Sequence, residues 1–224
     1  KAAFNWLLFL DADSVIVNSH FIKAYLEAVN KSVDVVVGGR VYAKEKPADC
    51  RLSLHWIYGS QREQQLPEHR LKRPHAGFMS NNFFIRKEVF QRLQITEALE
   101  GYGHEDTWMG IELENVGAKV QHIANPVLHN GLEENQVFIE KSLNSLQNLH
   151  KLQKIVGEKK LKHHVKLYAA YCRYRRMGVL PFLNFCFNVL QPLILRNLHS
   201  CDPSLFLFDL YRLNKFVRFN KVTH

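Results

Sequence analysis

Two aspartates stand at the end of a short apolar run near the beginning of the sequence. Residues 6–10 are continuously apolar, which is typical of a buried parallel strand, and Asp11 and Asp13 follow as an Asp-x-Asp pair. Ligands bind at the carboxyl edge of a parallel sheet, where both carboxylates can reach one ligand. One or two protein carboxylates suffice to hold a divalent ion against diphosphate oxygens. The alternative is a pair of solvated acids that cap a turn.

A second pair of acids, Glu105 and Asp106, belongs to the segment G-Y-G-H-E-D-T of residues 101–107. The pattern predicts a helix over 104–116, so that both acids fall at its N-terminus. The helix dipole favours a charged carboxylate there, which can then act as a general base. His129 follows the next predicted strand and is a candidate metal ligand, although a lone histidine is more often structural.

Two enzyme classes carry an Asp-x-Asp pair after a strand. Residues 11–15 read D-A-D-S-V, which matches the D-x-D-x-[TV] motif of haloacid-dehalogenase-like phosphatases. Those enzymes also need a G-D-type acidic pair, and the sequence contains no Gly-Asp dipeptide. Taken in order, the Asp-x-Asp pair, the segment 75–90 and the E-D segment closely resemble the GT-A glycosyltransferases of family 2. The E-D segment is similar to the G-W-G-x-E-D block of chondroitin-polymerase-like enzymes and β-1,4-galactosyltransferases.

This resemblance implies metal-dependent, inverting transfer of a sugar from a nucleoside-diphosphate sugar, with a UDP-sugar expected first. The acceptor would be a hydroxyl of a glycan or a lipid-linked molecule, as in polysaccharide biosynthesis. The remaining alternatives are the phosphatase and a non-catalytic binding module.

The resemblance also implies roles for individual residues. Asp13 and His129 would hold Mn²⁺ or Mg²⁺, and Asp11 would contact the ribose, or the metal through water. Asp106, with Glu105 beside it, would be the catalytic base. The expected sugar or acceptor contacts are Asn81, Asn82 and Trp108.

Alternating strands and helices predict an α/β fold, and the resemblance implies a mixed GT-A sheet flanked by helices. We expect residues 1–140 to form the C-terminal part of the catalytic domain and residues 141–224 a helical, basic extension. Family members normally begin with a nucleotide-binding βαβ unit before the Asp-x-Asp pair, whereas this sequence begins at the Asp-x-Asp strand. We therefore expect it to be a fragment of a longer product.

The charge of the chain is unevenly distributed. Residues 1–150 contain 16 Lys and Arg against 18 Asp and Glu, and residues 151–224 contain 14 against 3. The second part is therefore basic as well as apolar, which favours an anionic membrane surface over nucleic acid. Residues 177–195 carry no charge, so a spanning helix, an interfacial helix and an ordinary packed segment are all open. The aromatic residues expected to form an interfacial anchor are Phe182, Phe185, Phe187, Phe206, Phe208, Tyr211 and Phe216.

The four cysteines, at positions 50, 172, 186 and 201, are far apart and form no Cys-x-x-Cys pair. This spacing argues against a zinc ribbon or a disulfide scaffold and is typical of a reducing compartment. The sequence also opens without a signal-peptide pattern. We therefore expect a cytoplasmic protein, peripheral at the inner face of the membrane.

Overall fold

The computed structural model describes residues 3–30, 32–94, 99 and 101–222. The strands in chain order are β1 (Trp6–Leu10), β2 (Ser14–Ile16), β3 (Val35–Val37), β4 (Arg40–Val41), β5 (Asn82–Arg86), β6 (Val120–His122) and β7 (Val127–His129). The helices are α1 (Phe21–Ala28), α2 (Ser53–Tyr58), α3 (Pro67–Leu71), α4 (Lys87–Phe90), α5 (Glu105–Asn115), α6 (Asn135–Val156), α7 (Glu158–His164), α8 (Lys166–Arg176), α9 (Leu180–Leu198) and α10 (Leu205–Val222).

The chain divides into two compact units. The first, called the sheet unit, consists of Lys1–Glu45, Gly59–Thr96 and Glu105–Leu132. The second, called the helical unit, consists of Lys46–Tyr58, Glu97–His104 and Glu133–His224. The predicted domain boundary after residue 140 falls inside α6, because this helix begins at Asn135 and continues to Val156.

The sheet unit contains two mixed sheets, which is consistent with the predicted GT-A-like α/β fold. A four-stranded sheet has the order β1-β5-β3-β6, and a three-stranded sheet has the order β2-β7-β4. The three valines of β3 are fully buried, because β3 is an inner strand. A buried strand of β-branched residues fits this position, where both faces are covered.

The strand before the Asp-x-Asp pair differs from its prediction in one respect. β1 lies at the edge of the four-stranded sheet and pairs antiparallel with β5 rather than parallel, with Leu10 opposite Asn82. Its residues are half-buried, apart from the exposed Leu10. The continuous apolar run therefore reflects packing of an edge strand and not burial in the middle of a parallel sheet.

The helical unit has its own apolar core, in which α6, α9 and α10 pack together with α2. Phe187, Phe208, Tyr211 and Phe216 are buried in the unit, so the prediction that these four aromatics form a membrane anchor is wrong. Within the described ranges, no single helix is long and apolar enough to cross a bilayer. The pair α8 and α9, bent by 116°, meets the length and composition criteria only when taken together.

A disulfide joins Cys50 and Cys201 within the helical unit, contrary to the prediction from cysteine spacing. The two cysteines are 151 positions apart in the sequence, so their pairing depends on the packing of the unit and has no local signature. Disulfides persist mainly in oxidising compartments, and the expected cytoplasmic location therefore loses its support from the cysteine pattern.

Candidate active site

The Asp-x-Asp pair lies in a turn directly after β1. The backbone N–H of Asp11 donates to the carbonyl of Asn81 (3.0 Å), which extends the β1–β5 pairing by one bond. The N–H of Ser14 donates back to the carbonyl of Asp11 (3.1 Å) and closes the turn. The carboxylates of Asp11 and Asp13 are 44% and 45% exposed, so this turn presents two acids that solvent or a ligand can reach.

The three-stranded sheet brings Asp13 next to His129. β2 pairs antiparallel with β7 in the register Ser14 opposite His129, and the N–H of Asn130 donates to the carbonyl of Asp13 (3.0 Å). The Nδ1 atom of His129 lies 3.4 Å from Oδ2 of Asp13. A Cβ atom on Gly131 would lie 2.7 Å from the same Oδ2, so any other residue at this position would make the Asp13 carboxylate shift. These two predicted ligands are therefore brought together.

The pair formed by Asp13 and His129 suits a divalent ion that is completed by substrate. Neighbouring ligands of an octahedral ion with bonds of about 2.1 Å are separated by about 3 Å, close to the observed 3.4 Å. In the described part of the chain, no group of three or more His, Cys, Asp or Glu side chains is arranged around a common centre. The residues present thus fit a site with two protein ligands, in which diphosphate oxygens supply others.

Arg40 joins the Asp-x-Asp turn to Glu63, which the sequence motifs do not contain. Its Nη2 donates to Oδ2 of Asp11 and its Nη1 to Oε2 of Glu63, both at 3.0 Å. The Tyr42 hydroxyl donates to the same oxygen of Glu63. The Arg40 side chain is only 14% exposed, so its charge acts in a poorly solvated place. Partial burial raises the pKa of Asp11, while the Arg40 guanidinium opposes this rise and Asp13 adds to it.

Asp106 lies in the first turn of α5 and faces the same group of charges. Its Oδ1 accepts a hydrogen bond from the backbone N–H of Ser80 (2.9 Å). Burial raises the pKa of Asp106; the bond from Ser80 and the charge of Arg40 lower it, and the charge of Glu63 raises it further. Glu105, its neighbour on the helix, is exposed. Of the two predicted acids, Asp106 is therefore the one that interacts with Ser80, Arg40 and Glu63.

The three predicted substrate contacts have different surroundings. Asn81 is 2% exposed, and neither its amide nitrogen nor its amide oxygen has a hydrogen-bond partner among the described residues. A buried amide in this state is unusual in a folded protein and is a candidate for contact with a ligand. The indole N–H of Trp108 donates to the carbonyl of Gln94 (2.7 Å), and its ring is half-buried.

Asn82, the third predicted substrate contact, forms its hydrogen bonds inside the protein. It is fully buried, and its amide nitrogen donates to the carbonyls of Gly39 (3.0 Å) and Asn125 (2.9 Å). Its amide oxygen accepts a hydrogen bond from the Tyr25 hydroxyl. Since both amide hydrogens and the oxygen are engaged inside the protein, Asn82 ties β5 to the neighbouring segments.

Residues 1–94 match the family model described as Glycosyl transferase family 2. The matched segment contains the Asp-x-Asp turn, Arg40, Glu63 and Asn81, whereas Asp106 and His129 lie beyond it. No curated protein matches the chain. The family match supports a glycosyltransferase in general, which acts on a nucleotide-sugar donor and an acceptor.

Proposed function

We propose that the chain carries the catalytic centre of an inverting glycosyltransferase. It would transfer a sugar from a nucleoside-diphosphate sugar to a hydroxyl of a glycan or a lipid-linked acceptor. The observation that carries the proposal is that the Asp-x-Asp turn, His129 and Asp106 lie in one unit. Residues 1–94, which contain the turn, match the glycosyltransferase family model.

Asp13 and His129 are the residues that would hold Mn²⁺ or Mg²⁺. A divalent ion bound there offsets the negative charge of the diphosphate leaving group. Asp11 is held by Arg40 and offers its second oxygen to the ribose or to metal-bound water. Arg40 reduces the mutual repulsion between these carboxylates and an incoming diphosphate, because its guanidinium lies 3.0 Å from Asp11.

Asp106 acts as the general base in this proposal. Its carboxylate accepts the proton of the acceptor hydroxyl while that oxygen attacks the anomeric carbon from the face opposite the diphosphate. The raised pKa of Asp106 suits this task, because a stronger base accepts a proton more readily. Asn81 and Trp108 are the proposed contacts for the sugar or the acceptor.

The experiment is calorimetric titration of the chain with Mn²⁺ and then, with Mn²⁺ present, with a panel of UDP- and GDP-sugars. We expect Asp13→Ala to abolish metal binding and metal-dependent donor binding. Glu27→Ala is the matched control, because Glu27 is an exposed carboxylate on α1 that pairs with Lys23 away from the turn. This control should bind as the unaltered chain does.

Binding that survives in Asp13→Ala would contradict the assignment of the metal site. If the unaltered chain binds Mn²⁺ but no donor, the same panel is applied to the complete open reading frame that encodes it. Absence of donor binding there would contradict the glycosyltransferase proposal and favour a binding module.

A further inference from the structure

The outer side of α9 carries a row of exposed apolar side chains. Phe182, Phe185, Val189 and Leu193 are 68%, 67%, 65% and 64% exposed. Their spacing of three, four and four residues keeps them on one side of the helix over about 17 Å. We call this row the α9 ridge. Contiguous exposed apolar side chains of this size are uncommon on a soluble surface and mark a site of interaction.

The α9 ridge is not needed for the core of the helical unit. The opposite side of α9 presents Phe187, Ile194 and Leu198, which are at most 3% exposed and belong to the apolar cluster of this unit. The helix is therefore apolar on two sides, one buried and one outward. A helix that only had to pack on its neighbours would carry polar residues on its outward side.

The chain segment that contains the ridge is basic in sequence. From residue 159 to residue 201 the sequence has no aspartate or glutamate, and it has eight basic residues. They are Lys159, Lys160, Lys162, Lys166, Arg173, Arg175, Arg176 and Arg196. Glu158 pairs with Arg175 and Arg176, whereas Arg173 on α8 and Arg196 in the last turn of α9 are exposed. The next acid along the chain, Asp202, pairs with Lys46. An occupant of this surface should therefore be apolar and anionic.

We propose that the α9 ridge docks onto an anionic lipid bilayer, with the axis of α9 in the plane of the interface. The phenylalanines would enter the boundary between headgroups and acyl chains, and the flanking arginines would contact acidic headgroups. This inference does not depend on the proposed enzymatic function.

Two features of α9 argue for an interfacial position over a spanning one. Asn184 accepts a hydrogen bond from Asn214 (3.0 Å), and Asn188 accepts one from Arg218, so polar groups on α9 are tied to α10. The inner side of α9 is already covered by the helical unit. A second copy of the chain is disfavoured as the occupant, because a symmetric contact would bring two sets of these basic residues together.

The test is flotation of the chain with phosphatidylcholine vesicles, with and without phosphatidylglycerol. We expect binding to the vesicles that contain phosphatidylglycerol and weaker binding at high salt. Phe182→Gln combined with Phe185→Gln should weaken this binding about tenfold or more, because both rings lose their burial in lipid. Arg173→Gln combined with Arg196→Gln should weaken binding and its dependence on salt.

The matched control combines Leu26→Gln with Leu66→Gln. These leucines are 61% and 63% exposed and lie in the sheet unit. The control should float as the unaltered chain does, and thermal melts should show that every variant is folded. The proposal is overturned if the unaltered chain does not float, or if the phenylalanine variant floats equally well. It is also overturned if the unaltered chain binds no lipid, sediments as a dimer, and becomes a monomer in the phenylalanine variant.

Discussion

Asp106 combines a raised pKa with a position beside Arg40 and Glu63, and this combination predicts opposite effects on activity and stability. Burial disfavours the ionised form of Asp106, so the folded state is favoured at low pH, where Asp106 is protonated. This contribution to the free energy of unfolding is lost as the pH rises through the raised pKa of Asp106. Asp106→Asn should therefore unfold at a higher temperature than the unaltered chain at neutral pH. The difference should vanish below the ordinary pKa of an aspartate. Thermal melts across this pH range measure it.

If Asp106 is the proposed general base, the same substitution should also lower the rate of sugar transfer by about 10²–10⁴. In the unaltered enzyme, kcat/KM should rise with pH through the raised pKa of Asp106, because only the ionised carboxylate accepts a proton. Glu105→Gln is the control, since Glu105 is exposed and adjacent. Turnover within twofold of the unaltered enzyme in Asp106→Asn would contradict the assignment of the base.

Glu63 provides a second test at the residue scale, because one of its oxygens receives both Arg40 and Tyr42. The side chains of Arg40 and Glu63 are 14% and 26% exposed, so this pair is partly removed from water. Glu63→Ala leaves both donors without that acceptor and should lower the free energy of unfolding by about 1–3 kcal/mol. Denaturant unfolding of the chain measures this loss.

The matched control is Glu27→Ala, which breaks the pair with Lys23 on α1. That pair is 67% and 66% exposed, and its loss should cost less than about 1 kcal/mol. Equal losses in the two variants would mean that Glu63 does not anchor Arg40. We further expect Glu63→Ala to weaken donor binding, since Arg40 then loses the contact that directs it toward Asp11.

At the scale of elements, strong local patterns predicted two of the elements that position the site. The apolar run 6–10 became β1, and the helix predicted over 104–116 became α5. The pairing of β1 was wrong because an apolar run indicates burial but not the direction of its neighbour. The apolar run that begins at Val33 is divided at Gly38-Gly39 into β3 and β4, which belong to different sheets.

The short strands that assemble the site were the least predictable elements. β4 has two residues, and β2 and β7 have three each, too few for any periodicity. Yet the pairing of β7 with β4 puts Arg40 opposite Val127, and its pairing with β2 puts His129 beside Asp13. Asp11, Asp13 and Asp106 could be proposed because motifs contain them. Glu63 lies in a π-helical turn, Gly59–Glu63, and belongs to none of the sequence motifs. Its role depends on its contact with Arg40, which is 23 positions away in the sequence.

For the whole molecule, the disulfide between Cys50 and Cys201 predicts a stability that depends on redox conditions. It closes a loop of 151 positions, and constraint of an unfolded chain over that distance contributes about 4–5 kcal/mol in the chain-entropy description. Cys50→Ser combined with Cys201→Ser should therefore lower the melting temperature. A reductant should lower the melting temperature of the unaltered chain by a similar amount and should not change the melting temperature of the double variant.

The control is Cys172→Ser combined with Cys186→Ser, because these two cysteines are free thiols. The melting temperature of this variant should still fall when reductant is added. Thiol titration of the unaltered chain, denatured but not reduced, should find two reactive thiols. Four reactive groups in protein purified under oxidising conditions would contradict the disulfide. Two groups in protein taken directly from the producing cell would indicate an oxidising compartment, because cytosolic glutathione and thioredoxin keep thiols reduced. That result would overturn the cytoplasmic location expected from the spacing of the cysteines.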